Sequence, residues 1–359
     1  MSFRIKKIVL LPVVVLLFLG LIVDIRVGKE QMLEHFGDRF VNEQRADAYR
    51  EEQTGTTASA ERELEIRPNE QIKEVALTGL RGTIAVQRSV DASIRLHYSV
   101  KASGPDRETA SRRLDAVKVD EAVAGGRIDL TARSDGKTIN PDIIAVDYRL
   151  ELPDAVNLVL TSTGDTVQIR DIRGDVEAIS DVGSLALIGV TGKLKVKLAN
   201  GSAYLSAITG DIELDNRNGT VNIEDVKGNL VLTSRIGRNI VAKLTGNVTG
   251  TAESGPIQLQ DVTGDVLLNG QDAYLQTERI HGHTQVTADR GDVTLLLSAG
   301  EGYTLEAAVD GGRIQTMLPS DVQVMKDGDY AYRMDGVIGA GTWKLSAKAR
   351  SGDIHVYLK

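Results

Sequence analysis

The side chains best placed to do chemistry gather around glycines. Gly-Asp pairs stand at Gly164-Asp165, Gly174-Asp175, Gly210-Asp211, Gly264-Asp265 and Gly291-Asp292. Carboxylates recurring in a fixed frame could hold calcium, which takes about six to eight oxygen ligands. The calcium β-roll motif is G-G-x-G-x-D, and no copy of it occurs; other repeats put Lys193, Asn229 or Ser202 after the glycine. The pairs therefore read as turn residues. Two of them complete Arg-Gly-Asp tripeptides, Arg173-Gly174-Asp175 and Arg290-Gly291-Asp292. That is an integrin-binding sequence, but both glycines belong to a repeat, so the neighbours reflect corner chemistry.

His281 and His283 flank Gly282. Two histidines so spaced on a strand end could share a metal, but no third ligand presents itself, and they read as exposed corner residues. A carbohydrate-cleaving β-helix would need acids on adjacent rungs. The nearest case is Asp292 and Asp310, and Asp310 lies where the repeat has relaxed. No catalytic residue, no cofactor site and no metal site is assigned. The chain has no cysteine, which excludes disulfides, thiolate nucleophiles and cysteine-ligated metals. A formal charge of −8 does not suggest a nucleic-acid surface.

What must position these residues is a periodic frame from Leu160 to Leu297. Glycines fall at Gly183, Gly201, Gly219, Gly237 and Gly255, then Ala273, then Gly291. A second series, nine residues out of step, holds Gly174, Gly192, Gly210, Gly228, Gly246, Gly264 and Gly282. Two and four residues past a glycine come aliphatic pairs such as Val221 and Ile223, Leu230 and Leu232, or Ile257 and Leu259. Alternation with period two marks a strand with one buried face. Seven past the first series a third apolar residue recurs: Val190, Ile208, Val226, Leu244, Val262 and Ile280.

Asn200-Gly201 and Asn218-Gly219 could instead close hairpins. Hairpin loops tolerate insertions, however, and here the step length never changes. Stacked coils demand that constancy, because each residue sits over its counterpart one turn below. The expectation is an all-β, single-stranded β-solenoid of 18-residue coils with two strands per coil. Outward columns agree with that register. Asp175, Lys193 and Asp211, then Glu177, Lys195 and Glu213, then Asp225, Lys243, Asp261 and Arg279 alternate in sign from rung to rung.

With the repeat itself, five segments are expected. Residues 1–27 read as a signal anchor: Ile8 to Val23 is uncharged and follows Arg4, Lys6 and Lys7. A cleaved signal peptide competes with that reading, but no small-x-small site follows. An anchor implies a single-pass protein of the bacterial cell membrane, N-terminus cytoplasmic and C-terminal domain extracytoplasmic. Residues 28–62 read as a juxtamembrane helix (Met32, Leu33, Phe36, Phe40) and a linker. Residues 63–159 read as a β-rich head that caps the solenoid, with one surface helix at Pro105 to Val117. Residues 160–297 are the regular solenoid, and 298–359 irregular final coils with a loop over Pro319 to Gly341.

The layout and the segment "DYRLELPDAVNLVLTSTGDTVQIRDIRGDVEAIS", the many G-x-[aliphatic]-x-[aliphatic] units and the terminal "ARSGDIHVYLK" resemble the bacterial putative-adhesin family of β-strand-repeat proteins, a domain of unknown function. The resemblance covers about residues 60–359. It implies a β-solenoid at the bacterial envelope with no catalytic residues to carry over, and a link to envelope stress responses in some members. The expected function is a non-enzymatic, envelope-anchored binding or adhesin-like module. The alternative is an accessory scaffold of an envelope stress-sensing system, and behind both stands a carbohydrate-active β-helix enzyme. The partners so implied are the membrane through residues 8–23, and an unknown envelope protein or polysaccharide.

Overall fold

The computed structural model describes residues 56–66, 72–318 and 322–359. The described residues divide into two units, one holding Ser103–Ala110 and the other Ala58–Ala102 with Ser111–Lys359. In the first unit Asp106 Oδ1 accepts the backbone N–H of Thr109 at 2.7 Å. This is an N-cap, satisfying one of the donors that a helix start leaves orphaned. The helix it opens, Arg107–Ala116, falls inside the span expected from the sequence.

The second unit is almost entirely strand. Its strands pair in parallel with the residue 18 places on. Val176 lies opposite Leu194, Leu194 opposite Ile212, Ile212 opposite Leu230, Leu230 opposite Val248 and Val248 opposite Val266. Asn200 lies over Asn218 and Gly201 over Gly219, so the Asn-Gly pairs stack on one another instead of closing hairpins. Each coil carries two strands, as in Ile257–Thr263 and Val266–Asp272.

The alternation puts one aliphatic column after another inside. Leu194, Ile212, Leu230, Val248 and Val266 are each at most 3% exposed. Fully burying such a side chain is worth about 1.5–3 kcal/mol, and an exposed ion pair about 0–1 kcal/mol. The core therefore decides stability, and the charge columns record register. Lys195 does meet Glu213 at 3.4 Å, and Lys243 lies 3.8 Å from Asp225. Asp175 differs, accepting the backbone N–H of Lys193 instead of pairing with its ammonium.

One corner was not visible in the sequence. Asp171, Gly189, Ala207, Asp225, Lys243, Asp261 and Arg279, spaced 18 apart, all take φ between 52° and 73°. Leu205 points inward, so strict alternation would turn Ile208 outward. The left-handed residue at 207 acts as a bulge, shifting the parity by one. Ile208, Val226, Leu244 and Val262 consequently face the core.

At both ends the stacking leaves chain order. Thr83–Arg88 lies between Asp165–Arg170 and Ile144–Leu152, parallel to both. Beyond it, Ile94–Gly104 pairs antiparallel with Ile144–Leu152. At the other end Thr284–Arg290 is followed in space not by the next segment but by Trp343–Ser351, with Thr284 opposite Leu345. Tyr303–Gly311 stacks beyond that, Tyr303 opposite Trp343. A hairpin of Gln323–Lys326 and Tyr332–Ile338 pairs antiparallel against Tyr303–Gly311. Thr56–Ile66, whose first seven residues were expected in a linker, is a strand. Its pattern is faint because the half-buried positions include Ala58, Ala60 and Arg62.

The expected single-pass membrane placement is corrected. Among the described residues no helix is long and apolar enough to cross a membrane, and the helix present is ten residues of RETASRRLDA. The expectation rested on Ile8–Val23, which lies outside the described residues, as does the expected helix of 28–50. That run is sixteen residues long, against the ~20 that a span needs.

The corner glycines carry the stacking. A Cβ on Gly228, at φ 151°, would lie 2.1 Å from the carbonyl oxygen of Gly210 on the coil beneath. Neither backbone can retreat without breaking the ladder. We expect Gly228→Ala to lower stability by about 3 kcal/mol, read as a shifted midpoint in denaturant unfolding with an unchanged slope. A midpoint within error of wild type would refute this account of the corner.

Candidate functional site

One flank of the coils carries an open groove of about 570 Å³. Its floor is a column of small residues: Ser234, Ala252, Gly270, Ala288 and Ala349 stack in register. Because these side chains are short, the flank is dented there. The adjoining column is Thr233, Thr251, Asn269, Thr287 and Lys348. With coils about 4.8 Å apart, five rungs give a row about 20 Å long. The opposite rim holds Glu253, Gln271, Asp289, Arg350 and Asp310.

The rim carboxylates are mostly tied up. Glu253 meets Arg235 at 3.4 Å, and Asp289 accepts from Arg350 Nη2 at 2.6 Å. The neutral groups are not. Among the described residues, the side chains of Thr233, Thr251, Asn269, Gln271 and Thr287 have no hydrogen-bonding partner. The groove therefore offers a rigid row of hydroxyls and amides, evenly spaced and unengaged. Their 18-residue spacing could have been read from the sequence, but no single one of them has a chemical signature.

A second groove, of about 540 Å³, runs past Asn247, Asp265, His283 and Lys344. It borders a hydrogen-bond ladder that accounts for the Gly-Asp repeats. Asn157 accepts from the N–H of Asp175, and Asp175 from that of Lys193. Lys193 cannot accept, and the ladder resumes at Asp211, which takes the N–H of Asn229 at 2.8 Å. Asn229, Asn247 and Asp265 continue it, each at 2.9 Å.

The residues singled out in the sequence are placed as follows. Asp175 and Asp292 of the Arg-Gly-Asp tripeptides both serve as ladder acceptors, Asp292 for Asp353 at 2.8 Å. His281 pairs with Glu301 at 2.7 Å, while His283 accepts from Lys344. Among the described residues no three His, Asp or Glu side chains are grouped so as to hold a metal ion. Asp292 and Asp310 are not brought onto adjacent rungs, because Trp343–Ser351 stands between their coils.

Gly164-Asp165 is unlike the other pairs. Asp165 lies opposite Gly183, in the column of corner glycines. It is 1% exposed; Oδ2 accepts from Ser162 at 2.7 Å, and Oδ1 has no partner. Burial pushes its carboxyl up to about 6 from an ordinary 3.8, with the nearby Asp147 charge adding to the effect and the Ser162 hydrogen bond opposing it. Burial likewise pushes the Tyr148 hydroxyl up. A folded state that holds the Asp165 proton more tightly than the unfolded chain loses stability as pH rises from about 4 to 6. We expect Asp165→Asn to be more stable than wild type by about 3 kcal/mol above pH 6.5 and to converge on it near pH 4. Thermal melts of both proteins across that range check this, and a difference independent of pH would contradict it.

A family model described as Toastrack DUF4097 matches residues 72–357. No curated protein matches the chain. Among solved structures the chain is similar to a putative adhesin from Bacteroides fragilis NCTC 9343, at 14% identity and TM-score 0.32, covering 83% of this chain and 97% of that one. It is similar to a putative adhesin from Parabacteroides distasonis ATCC 8503, at 11% identity and TM-score 0.28, covering 85% and 98%. A putative lipid binding protein from Parabacteroides distasonis ATCC 8503 stands at 12% identity and TM-score 0.27, again covering 85% and 98%. Likenesses this distant carry no argument about a ligand.

Proposed function

The chain belongs to the Toastrack DUF4097 family, and from that premise we propose that it is a non-enzymatic binding module whose flank groove holds an extended polysaccharide. One observation carries the reading: the row of Thr233, Thr251, Asn269 and Thr287, unpartnered and spaced by the coil rise. A polymer lying along the coils meets an equivalent donor and acceptor at each rung. Hydroxyl-rich chains suit such a row because they can donate to and accept from every member. The floor of Ala252, Gly270 and Ala288 leaves room for the polymer to sit between row and rim. Glu253 and Asp289, held by Arg235 and Arg350, shape the rim and are not spare acids for bond cleavage.

The test is binding of the full chain to a panel of immobilised polysaccharides, with the triple variant Thr251→Val, Asn269→Leu, Thr287→Val. A lost hydrogen bond is worth about 1 kcal/mol, so we expect binding to weaken about a hundredfold, with bound polymer keeping its mass. Equal binding by the variant would remove the groove from consideration. Retention of a discrete protein and of no polysaccharide would favour a scaffold, and shortening of the polymer would favour an enzyme.

A further inference from the structure

The ladder beside the second groove ends on a residue of different chemistry. Asn247 accepts the N–H of Asp265, and Asp265 that of His283, both through side-chain oxygens at 2.9 Å. His283 performs the same task for the next coil with a nitrogen: its Nδ1 accepts the N–H of Lys344 at 3.0 Å. An amide or carboxylate oxygen accepts at any pH between about 5 and 8. An imidazole nitrogen accepts only while it carries no proton, and imidazole is the side chain that ordinarily changes charge in that range.

Chain order makes this rung special. Up to Thr284–Arg290 the coils follow one another in sequence; the strand laid on top, Trp343–Ser351, comes from much further along the chain. His283 therefore sits at the joint between the regular coils and the inserted strand. Trp343 packs edge-on against its ring, with centroids 5.9 Å apart and planes at 76°.

We propose that His283 is a proton-operated latch on this joint. Neutral His283 pins the Trp343 end of the strand through the Lys344 N–H. Protonation at Nδ1 sets two donors face to face, and that end of the strand lifts. The charges around the ring are accounted for. Asp265 lies on the coil beneath, its Oδ1 taken up by the His283 N–H at 2.9 Å. Lys344 lies on the coil above, with its own ammonium paired to Glu306 at 3.3 Å. His281, two residues back, is engaged with Glu301. Because His283, Lys344 and Ser346 line the second groove, lifting the strand end reshapes that groove's wall. The contact holds while Nδ1 carries no proton and is lost when it gains one.

Trp343 is the one tryptophan in the chain, so its fluorescence reports the joint directly. The full chain is titrated from pH 8 to 5 alongside His283→Asn, which restores the oxygen acceptor found at Asn229 and Asn247. We expect the wild type to show a single fluorescence transition. Exchange of the Lys344 amide, corrected for the intrinsic effect of pH, should rise about tenfold at pH 5. The variant should show neither. Matching profiles in the two proteins would overturn the proposal. Should His283→Asn fail to fold, the imidazole 15N shifts of the wild type decide the matter, since a proton on Nδ1 at pH 8 is incompatible with a latch.

Discussion

Everything in this fold follows from how closely one coil's corner must approach the next. At Gly192, Gly210, Gly228, Gly246, Gly264 and Gly282 an added Cβ would lie 2.0–2.3 Å from the carbonyl oxygen of the coil beneath. No other residue permits that contact. It holds adjacent backbones at ladder distance and fixes the coil length, because a coil with one residue more would carry its glycine past the carbonyl. The hydrophobic columns supply most of the free energy. The corners decide which residues end up in a column.

That constraint also explains what was legible in the sequence. The period, the parallel register and the inward columns could be read because glycine recurs at nearly every corner, unbroken from Gly174 to Gly282 in the second series. The left-handed corner at Asp171, Ala207 and Lys243 could not be read, since Asp, Ala, Lys and Arg share no side-chain property there; the backbone alone makes them equivalent. The rearrangement at the ends was hidden for a related reason. Thr284 opposite Leu345 and Thr83 opposite Thr166 are contacts across long intervals, and no local pattern records them. Of the candidate sites, Asp175, Asp211 and Asp265 read from the sequence as turn residues, and in the structure each accepts a backbone N–H. Their partner, the backbone N–H one coil on, depended on knowing the stack. The groove over Thr251 and Asn269 was missed because small and neutral residues draw no notice until a register aligns them.

Rigidity links the frame to the proposed binding. A row of Thr and Asn on separate loops would lose conformational entropy in meeting a ligand; on stacked coils those side chains are already positioned. The ladder acceptors contribute by holding the corner amides of Asn229, Asn247, Asp265 and His283 from the coil beneath. The small floor residues fit the same logic. A Cβ at Gly270 would lie 2.9 Å from that of Ala273 and 3.2 Å from Leu275 Cδ1, so the floor has no room for a larger residue there.

A solenoid's ends are its weak points, since an uncovered coil offers a bare strand edge. This chain meets the difficulty the same way at both ends. A strand from a distant part of the sequence is laid on the stack out of order, and antiparallel strands then close the edge. Parallel coils propagate without limit; antiparallel pairing changes the direction of the chain and breaks the repeat. The cost is a joint at each end where corner chemistry departs from the rule. Two titratable residues stand there in place of the repeat's usual groups: Asp165, in a glycine column at the first joint, and His283, in an oxygen ladder at the second. Within the regular coils the corresponding positions are, apart from Ala273, glycines in the one column and, apart from Lys193, Asn or Asp oxygens in the other. At the joints the repeat has lapsed, and a titratable side chain can stand in its place.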